Sequence, residues 1–232
     1  MRIPVLFYHK IGYPPPEAKL VNLYVTPENF YKQLKYLKLR GFRTINCETY
    51  FKIRRNLMNP PYKPILITFD DGFKNNYTYA FPILKKFGFI ATIFIVVGDI
   101  GKKVRWEESE EDLPEEILSW EEIKEMHRYG IDFQSHGFTH RHLDALPLEE
   151  VEEEIKNSKR ILEENLEKKI EFFAYPYGSY NEKVKEILKK HGFKAGFTTR
   201  KGKERDLYEI RRVGIKYKHK LWKFIRYVEW KY

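Results

Sequence analysis

Four times in 232 residues a helical stretch ends on a glycine and leads into an apolar strand, at Gly41, Gly88, Gly130 and Gly192. Glycine at a helix C-terminus takes the left-handed conformation that turns the chain. Short apolar strands alternating with helices are the pattern of successive βα units and a parallel sheet. The strand candidates are 3–9, 43–46, 65–69, 91–97, 131–135, 170–175, 195–199 and 209–216. Thr26 followed by Pro27 opens one helix, and Ser119 opens another that runs to Gly130. A third carries apolar residues at 148, 151, 155, 162 and 166, and "KLWKFIRYVEW" supplies the last. Seven or eight such units predict an α/β fold, a closed or nearly closed (β/α) barrel of seven or eight strands, irregular at one side, with a doubly wound open sheet as the alternative. No Gly/Ser-rich linker divides the chain, so residues 1–232 are expected to form one domain. Segment 98–118 is too long for an ordinary βα loop and reads as an excursion over one face.

In a parallel α/β fold, functional groups collect at the C-terminal ends of strands. Three such ends carry unusual chemistry: Asp70-Asp71 after "ILITF", "SHGFTH" at 135–140, and "AYPYG" at 174–178. Two adjacent carboxylates at the mouth of an apolar strand repel each other and resist desolvation. Asp-Asp-Gly could be a turn and helix cap, and His136 with His140 could be structural histidines. Together, at successive strand ends of one barrel, the carboxylates and imidazoles make a candidate metal site of zinc type.

Composition narrows the function classes. The longest apolar stretch, "FIATIFIVV" at 89–97, is far short of the ~20 residues of a membrane helix, so no membrane span is expected. The N-terminus lacks the apolar core and cleavage site of a signal peptide, which makes a cytoplasmic location the default reading, with association to the cell envelope still open. Cys47 is the single cysteine, so no intrachain disulfide can form, and it reads as a small buried residue. Glutamine occurs only at 33 and 134 while Lys and Glu abound, a bias that suits a hot environment. The net charge of +10 is dispersed over several helices without an Arg-rich tract, so a solvated basic exterior is expected and nucleic acid is not.

The motifs "TFDDG", "SHGFTH" and "AYPYG", in this order and spacing, resemble the first three motifs of the polysaccharide deacetylases, carbohydrate esterase family four, with the NodB-homology domain. "VLFYHKI", "FYKQLKYLKLRGF", "ATIFIVVG" and "LSWEEIKEM" resemble members acting on poly-N-acetylglucosamine. The resemblance covers nearly the whole chain. It implies a deformed barrel and metal-dependent removal of acetyl groups from an N-acetylated sugar or polysaccharide. Asp71, His136 and His140 would be the metal ligands and Asp70 the general base, with a water activated at the cation attacking the acetyl carbonyl. The backbone N–H of Tyr177 would hold the oxyanion, and Pro176 and Gly178 would shape that substrate-binding turn. The cofactor is a divalent metal, zinc by default for a His₂Asp site, with cobalt, nickel or iron fitting the same ligands.

Two departures stand out. The family's third motif usually has an Arg two residues before the Pro, where this chain has Ala174. In "EIRRVGIK", period-2 alternation turns Arg212 toward the barrel interior, so Arg212 is the candidate to orient Asp70, against a surface ion pair. The family's fourth and fifth motifs are not readable, since Trp222 and His219 sit at the wrong spacing. His9 is therefore a candidate general acid, with His219 and His142 as further ones. The competing functions are hydrolysis of another amide, on a lipid-linked sugar or a small nitrogenous metabolite, and a carbohydrate-binding protein with little activity.

Overall fold

The computed structural model describes residues 3–104, 106, 114–200 and 204–229. The strands of its main sheet are β1 (Val5–Tyr8), β2 (Arg43–Ile45), β3 (Pro64–Phe69), β4 (Thr92–Ile95), β5 (Asp132–Ser135), β6 (Phe172–Ala174), β7 (Ala195–Thr198), β8 (Ile210–Arg211) and β9 (Val213–Gly214). The helices are α1 (Pro27–Leu39), α2 (Cys47–Arg54), α3 (Phe81–Phe87), α4 (Trp120–Tyr129), α5 (Leu148–Leu166), α6 (Glu182–Lys190) and α7 (Leu221–Glu229). Several start on the caps that the sequence predicts. Thr26 Oγ1 accepts from Asn29 N, and Ser119 with Glu122 closes a reciprocal capping box.

All the barrel strands pair in parallel, in the order β8-β7-β6-β5-β4-β3-β1-β9, so an eight-strand path makes the expected barrel, nearly closed. β2 lies off that path, pairing only with the first half of β3. The two ends of the path are consecutive pieces of one segment. Ile210 and Arg211 pair with Phe197 and Thr198, then Val213 and Gly214 pair with Leu6 and Phe7. Arg212 alone separates them and sits at the seam of the barrel. The strand expected over 209–216 is thus split into two short pairings, because its halves serve opposite edges.

Inward and outward residues alternate along the strands. Val5, Leu66, Phe94, Phe172, Phe197 and Ile210 form one buried cluster, while Leu6, Ile65, Ile67 and Phe69 join a larger one with the helices. Helix α2, absent from the sequence-based expectation, packs Cys47 and Tyr50 into the first of these clusters. The Cys47 Sγ lies 3.5 Å from Thr92 Oγ1, and burial pushes the thiol pKa up. Of the 98–118 excursion, residues 105 and 107–113 lie outside the described residues. Its remainder includes an antiparallel pair, Lys103–Val104 with Glu115–Glu116, and Leu118 N donates to Gly72 O at 2.9 Å. The terminal helix expected to end at Trp230 is described to Glu229. No helix among the described residues is long and apolar enough to cross a membrane.

Gly72 closes the turn after β3 in a way no other residue fits. Its φ is +81°, and a Cβ built there would stand 2.5 Å from Ile95 Cγ1 of β4. Gly72→Ala combines left-handed strain with overpacking, so a loss of about 2–5 kcal/mol is expected, read as a lower denaturant midpoint at unchanged slope.

Candidate metal centre

The chain breaks out of β3 at a chosen point. Asp70 still pairs as strand, its N–H donating to Tyr8 O at 2.9 Å, whereas Asp71 flips to φ 76°. That reversal sends two neighbouring carboxylates to different partners. Asp70 receives both terminal nitrogens of Arg212, Nη1 to Oδ1 at 2.6 Å and Nη2 to Oδ2 at 2.7 Å. Asp71 Oδ1 lies 3.3 Å from His136 Nε2 and 3.4 Å from His140 Nε2. All five side chains are buried.

Arg212 is the inward-facing residue that alternation predicts. Its guanidinium also donates to Thr68 Oγ1 at 3.1 Å and lies over the rings of Phe7 at 4.8 Å and Phe94 at 5.5 Å. A planar fork meeting a carboxylate with two parallel bonds fixes the carboxylate's rotation as well as its charge. The side chain is 0% exposed, which excludes the surface ion pair.

His136 follows β5 directly. Its Nδ1 is 2.8 Å from the carbonyl of Ala174, so Nδ1–H donates there and Nε2 is the nitrogen turned toward Asp71. Thus the position where the family pattern has its arginine contributes here through the backbone, and Arg212 reaches Asp70 from the barrel seam between β8 and β9. His140 is presented by the loop after Gly137, with φ 59°. Its ring stands between Trp106, 4.3 Å away, and Tyr177, 4.6 Å away. Tyr177 has φ 57° and carries His142 stacked on its ring at 4.0 Å. Of the six described non-glycine residues with positive φ, Asp71, His140 and Tyr177 are all at this site. Strained backbone concentrated at one place marks a geometry held by its surroundings.

The electrostatics follow. Burial opposes ionisation of Asp71, but hydrogen bonds from His136 and His140 hold its carboxyl well below the usual carboxylate range. Burial pulls His140 below the ordinary imidazole value. For His136 burial also pulls down, yet Asp71 wins and raises it. His9 is lowered by burial, and the charges it feels are Asp71, Asp70, Arg212 and His136, so it borders the same centre. His219 does not. Its Nδ1 accepts from Lys216 N at 3.2 Å, its ring packs on Tyr227, and burial with the neighbouring lysines lowers it to about 4. Trp222, 63% exposed on α7, is a surface residue.

One carboxylate oxygen and two imidazole nitrogens lie within 4.8 Å of one another. This donor set, with His136 Nε2 turned inward by the Ala174 carbonyl, fits a divalent cation. Trp106 went unread in the sequence, because its approach to His140 depends on how the excursion folds back.

Comparison with known proteins agrees with this arrangement. The family profile described as "Polysaccharide deacetylase" matches residues 58–196. A Staphylococcus aureus protein named poly-beta-1,6-N-acetyl-D-glucosamine N-deacetylase is 31% identical over 191 residues, covering 78% of this chain and 62% of its own length. This chain therefore spans less than two thirds of that relative. The solved structure of the Streptococcus pyogenes deacetylase PplD in complex with acetate superposes with a TM-score of 0.87 at 29% identity, covering 99% of both chains. IcaB from Ammonifex degensii superposes with a TM-score of 0.81 at 28% identity, covering 98% of this chain and 97% of that one. Motifs, barrel and profile together make this chain a member of the polysaccharide deacetylase family.

Proposed function

We propose that this protein is a metal-dependent deacetylase of an N-acetylated sugar or polysaccharide, with β-1,6-linked poly-N-acetylglucosamine as the leading substrate class. The observation that carries the reading is the division of labour between Asp70 and Asp71. One carboxylate is locked by Arg212, and its neighbour is turned onto two imidazoles. The named activity of the Staphylococcus aureus relative supports the substrate class.

Asp71, His136 and His140 would hold the cation, with zinc the expected metal. A divalent cation there would supply an acidified water and polarise the acetyl carbonyl. Asp70 accepts the proton of the attacking water, and the Arg212 fork keeps its oxygens facing the site. Tyr177 offers its backbone N–H to the oxygen that gains charge, on a turn shaped by Pro176 and Gly178. Gly178 is required there, since a Cβ would meet Thr199 N at 2.8 Å. His9, which feels the charges of both aspartates, is the group proposed to protonate the leaving amine. His142, stacked on Tyr177, would instead border the sugar.

His136→Ala and His140→Ala should each lose bound metal while keeping the far-ultraviolet circular dichroism of the parent. Stoichiometric metal at parental affinity in both variants would remove the ligand assignment.

A further inference from the structure

The two imidazoles are held by different means. His136 is oriented by its own hydrogen bond to Ala174 O. His140 Nδ1 is buried and has no hydrogen-bond partner among the described residues. Its position therefore depends on ring packing and on the loop that carries it. That loop is fully engaged. Gly137 N donates to Ser135 Oγ at 3.1 Å. Phe138 N and Thr139 N both donate to Glu154 Oε2, at 2.8 and 2.9 Å. The Thr139 hydroxyl donates to Glu154 Oε1. On the other side Val97 N and Gly98 N donate to the carbonyls of Gly137 and Phe138.

Glu154 lies on α5, 3% exposed, on the stripe Val151, Ile155, Ser158 and Leu162 that packs inward. A lone buried carboxylate on an apolar stripe is unfavourable unless its charge is answered by donors. Here the donors are consecutive backbone N–H groups of the metal loop, a concavity that selects an anion. The nearest basic group is Arg141, 3.9 Å away, which bonds more closely to Glu150 at 2.7 Å. Glu154 thus takes three hydrogen bonds from the two residues immediately before His140.

We propose that Glu154 is a positioning residue for His140: its buried carboxylate replaces the hydrogen bond that the His140 ring lacks, and so sets metal affinity from outside the ligand set. This rests on the metal-site reading above. Hydrogen-bonded partners behind metal ligands are typically worth about 10–100-fold in metal affinity, and Glu154→Ala should weaken zinc binding by about that factor. Glu154→Gln keeps an oxygen for the two N–H groups and can offer its amide N–H to the Thr139 hydroxyl, so it should recover most of the affinity. Thr139→Val, which removes a single donor, should fall between the parent and Glu154→Ala.

The test is competitive zinc titration of the metal-free proteins against a chelating dye, with thermal unfolding of the same metal-free samples. Expected is a graded rise in Kd from parent through Glu154→Gln and Thr139→Val to Glu154→Ala. Parental Kd in all three variants, with only the unfolding midpoint lowered, would reduce Glu154 to a packing role and overturn the proposal. Should Glu154→Ala fail to fold, parental Kd in Thr139→Val and Glu154→Gln alike would still overturn it. Failure of the parent itself to bind zinc would instead strike the metal-site reading.

Discussion

Asp70→Asn should retain its metal and lose nearly all deacetylation. The proposed ligand Asp71 is untouched, and the amide is the same shape as the carboxylate it replaces. It cannot accept the proton of the attacking water, and a positioned general base contributes roughly 10²–10⁴-fold. The amide also meets the Arg212 fork badly. Both of its positions face donors, Nη1 at 2.6 Å and Nη2 at 2.7 Å, so one N–H₂ is forced against an N–H. Turnover should fall by at least ~10²-fold while KM for the acetylated sugar moves little, because the role proposed for Asp70 is on the water and not in substrate binding. Steady-state kinetics on a defined oligosaccharide measure both. A turnover within a few-fold of the parent would place the base elsewhere.

The second large effect concerns stability and activity together. Arg212→Met keeps much of the side-chain length and its packing against Phe7 and Phe94 but removes the charge. Asp70, 2% exposed, is then a buried carboxylate with its fork gone. Breaking one partner of a buried ion pair typically costs about 3–5 kcal/mol, so denaturant unfolding should shift by an amount of that order. Activity should drop as well, since Asp70 loses its fixed rotation, yet bound metal should stay at parental stoichiometry. The double variant Asp70→Asn with Arg212→Met should be more stable than Arg212→Met alone, because the orphaned charge is gone. If the double variant were no more stable, the burial of an unpaired carboxylate would not be the cause.

How much of this was readable beforehand follows from where each signal lives. The helix–glycine–strand repeats and the period-2 strands are local, and they placed the barrel and the inward turn of Arg212. The three strand-end motifs are local too, so Asp70, Asp71, His136 and His140 could be named from spacing and resemblance. Helix α2 escaped because it is eight residues long and presents only Cys47 and Tyr50 as buried positions, too short a run to show a period. Its one clear sign was Asn46, whose side chain caps Thr49 N at 2.9 Å. Glu154 was hidden for the opposite reason. It sits in "LEEVEEEIK" among other glutamates, and only its place on the apolar stripe of α5 distinguished it. The use of the Ala174 carbonyl by His136 left no trace in sequence, since any residue has that carbonyl. The split of the last strand around Arg212 was equally silent, being set by which edges the closing barrel brings to it.

Two adjacent aspartates with different work are the centre of the proposed chemistry. Acetate release from poly-N-acetylglucosamine fragments and chitooligosaccharides, measured across a metal titration with metal content determined in parallel, compares the parent, Asp70→Asn and Asp71→Asn directly. Asp71→Asn should bind metal weakly, because an amide oxygen is a poorer ligand than a carboxylate for a divalent cation, and excess metal should restore part of its activity. Asp70→Asn should bind metal as the parent does and stay inactive at every concentration. Rescue of Asp70→Asn by metal, with Asp71→Asn metal-replete and dead, would exchange the base and the ligand and contradict the account.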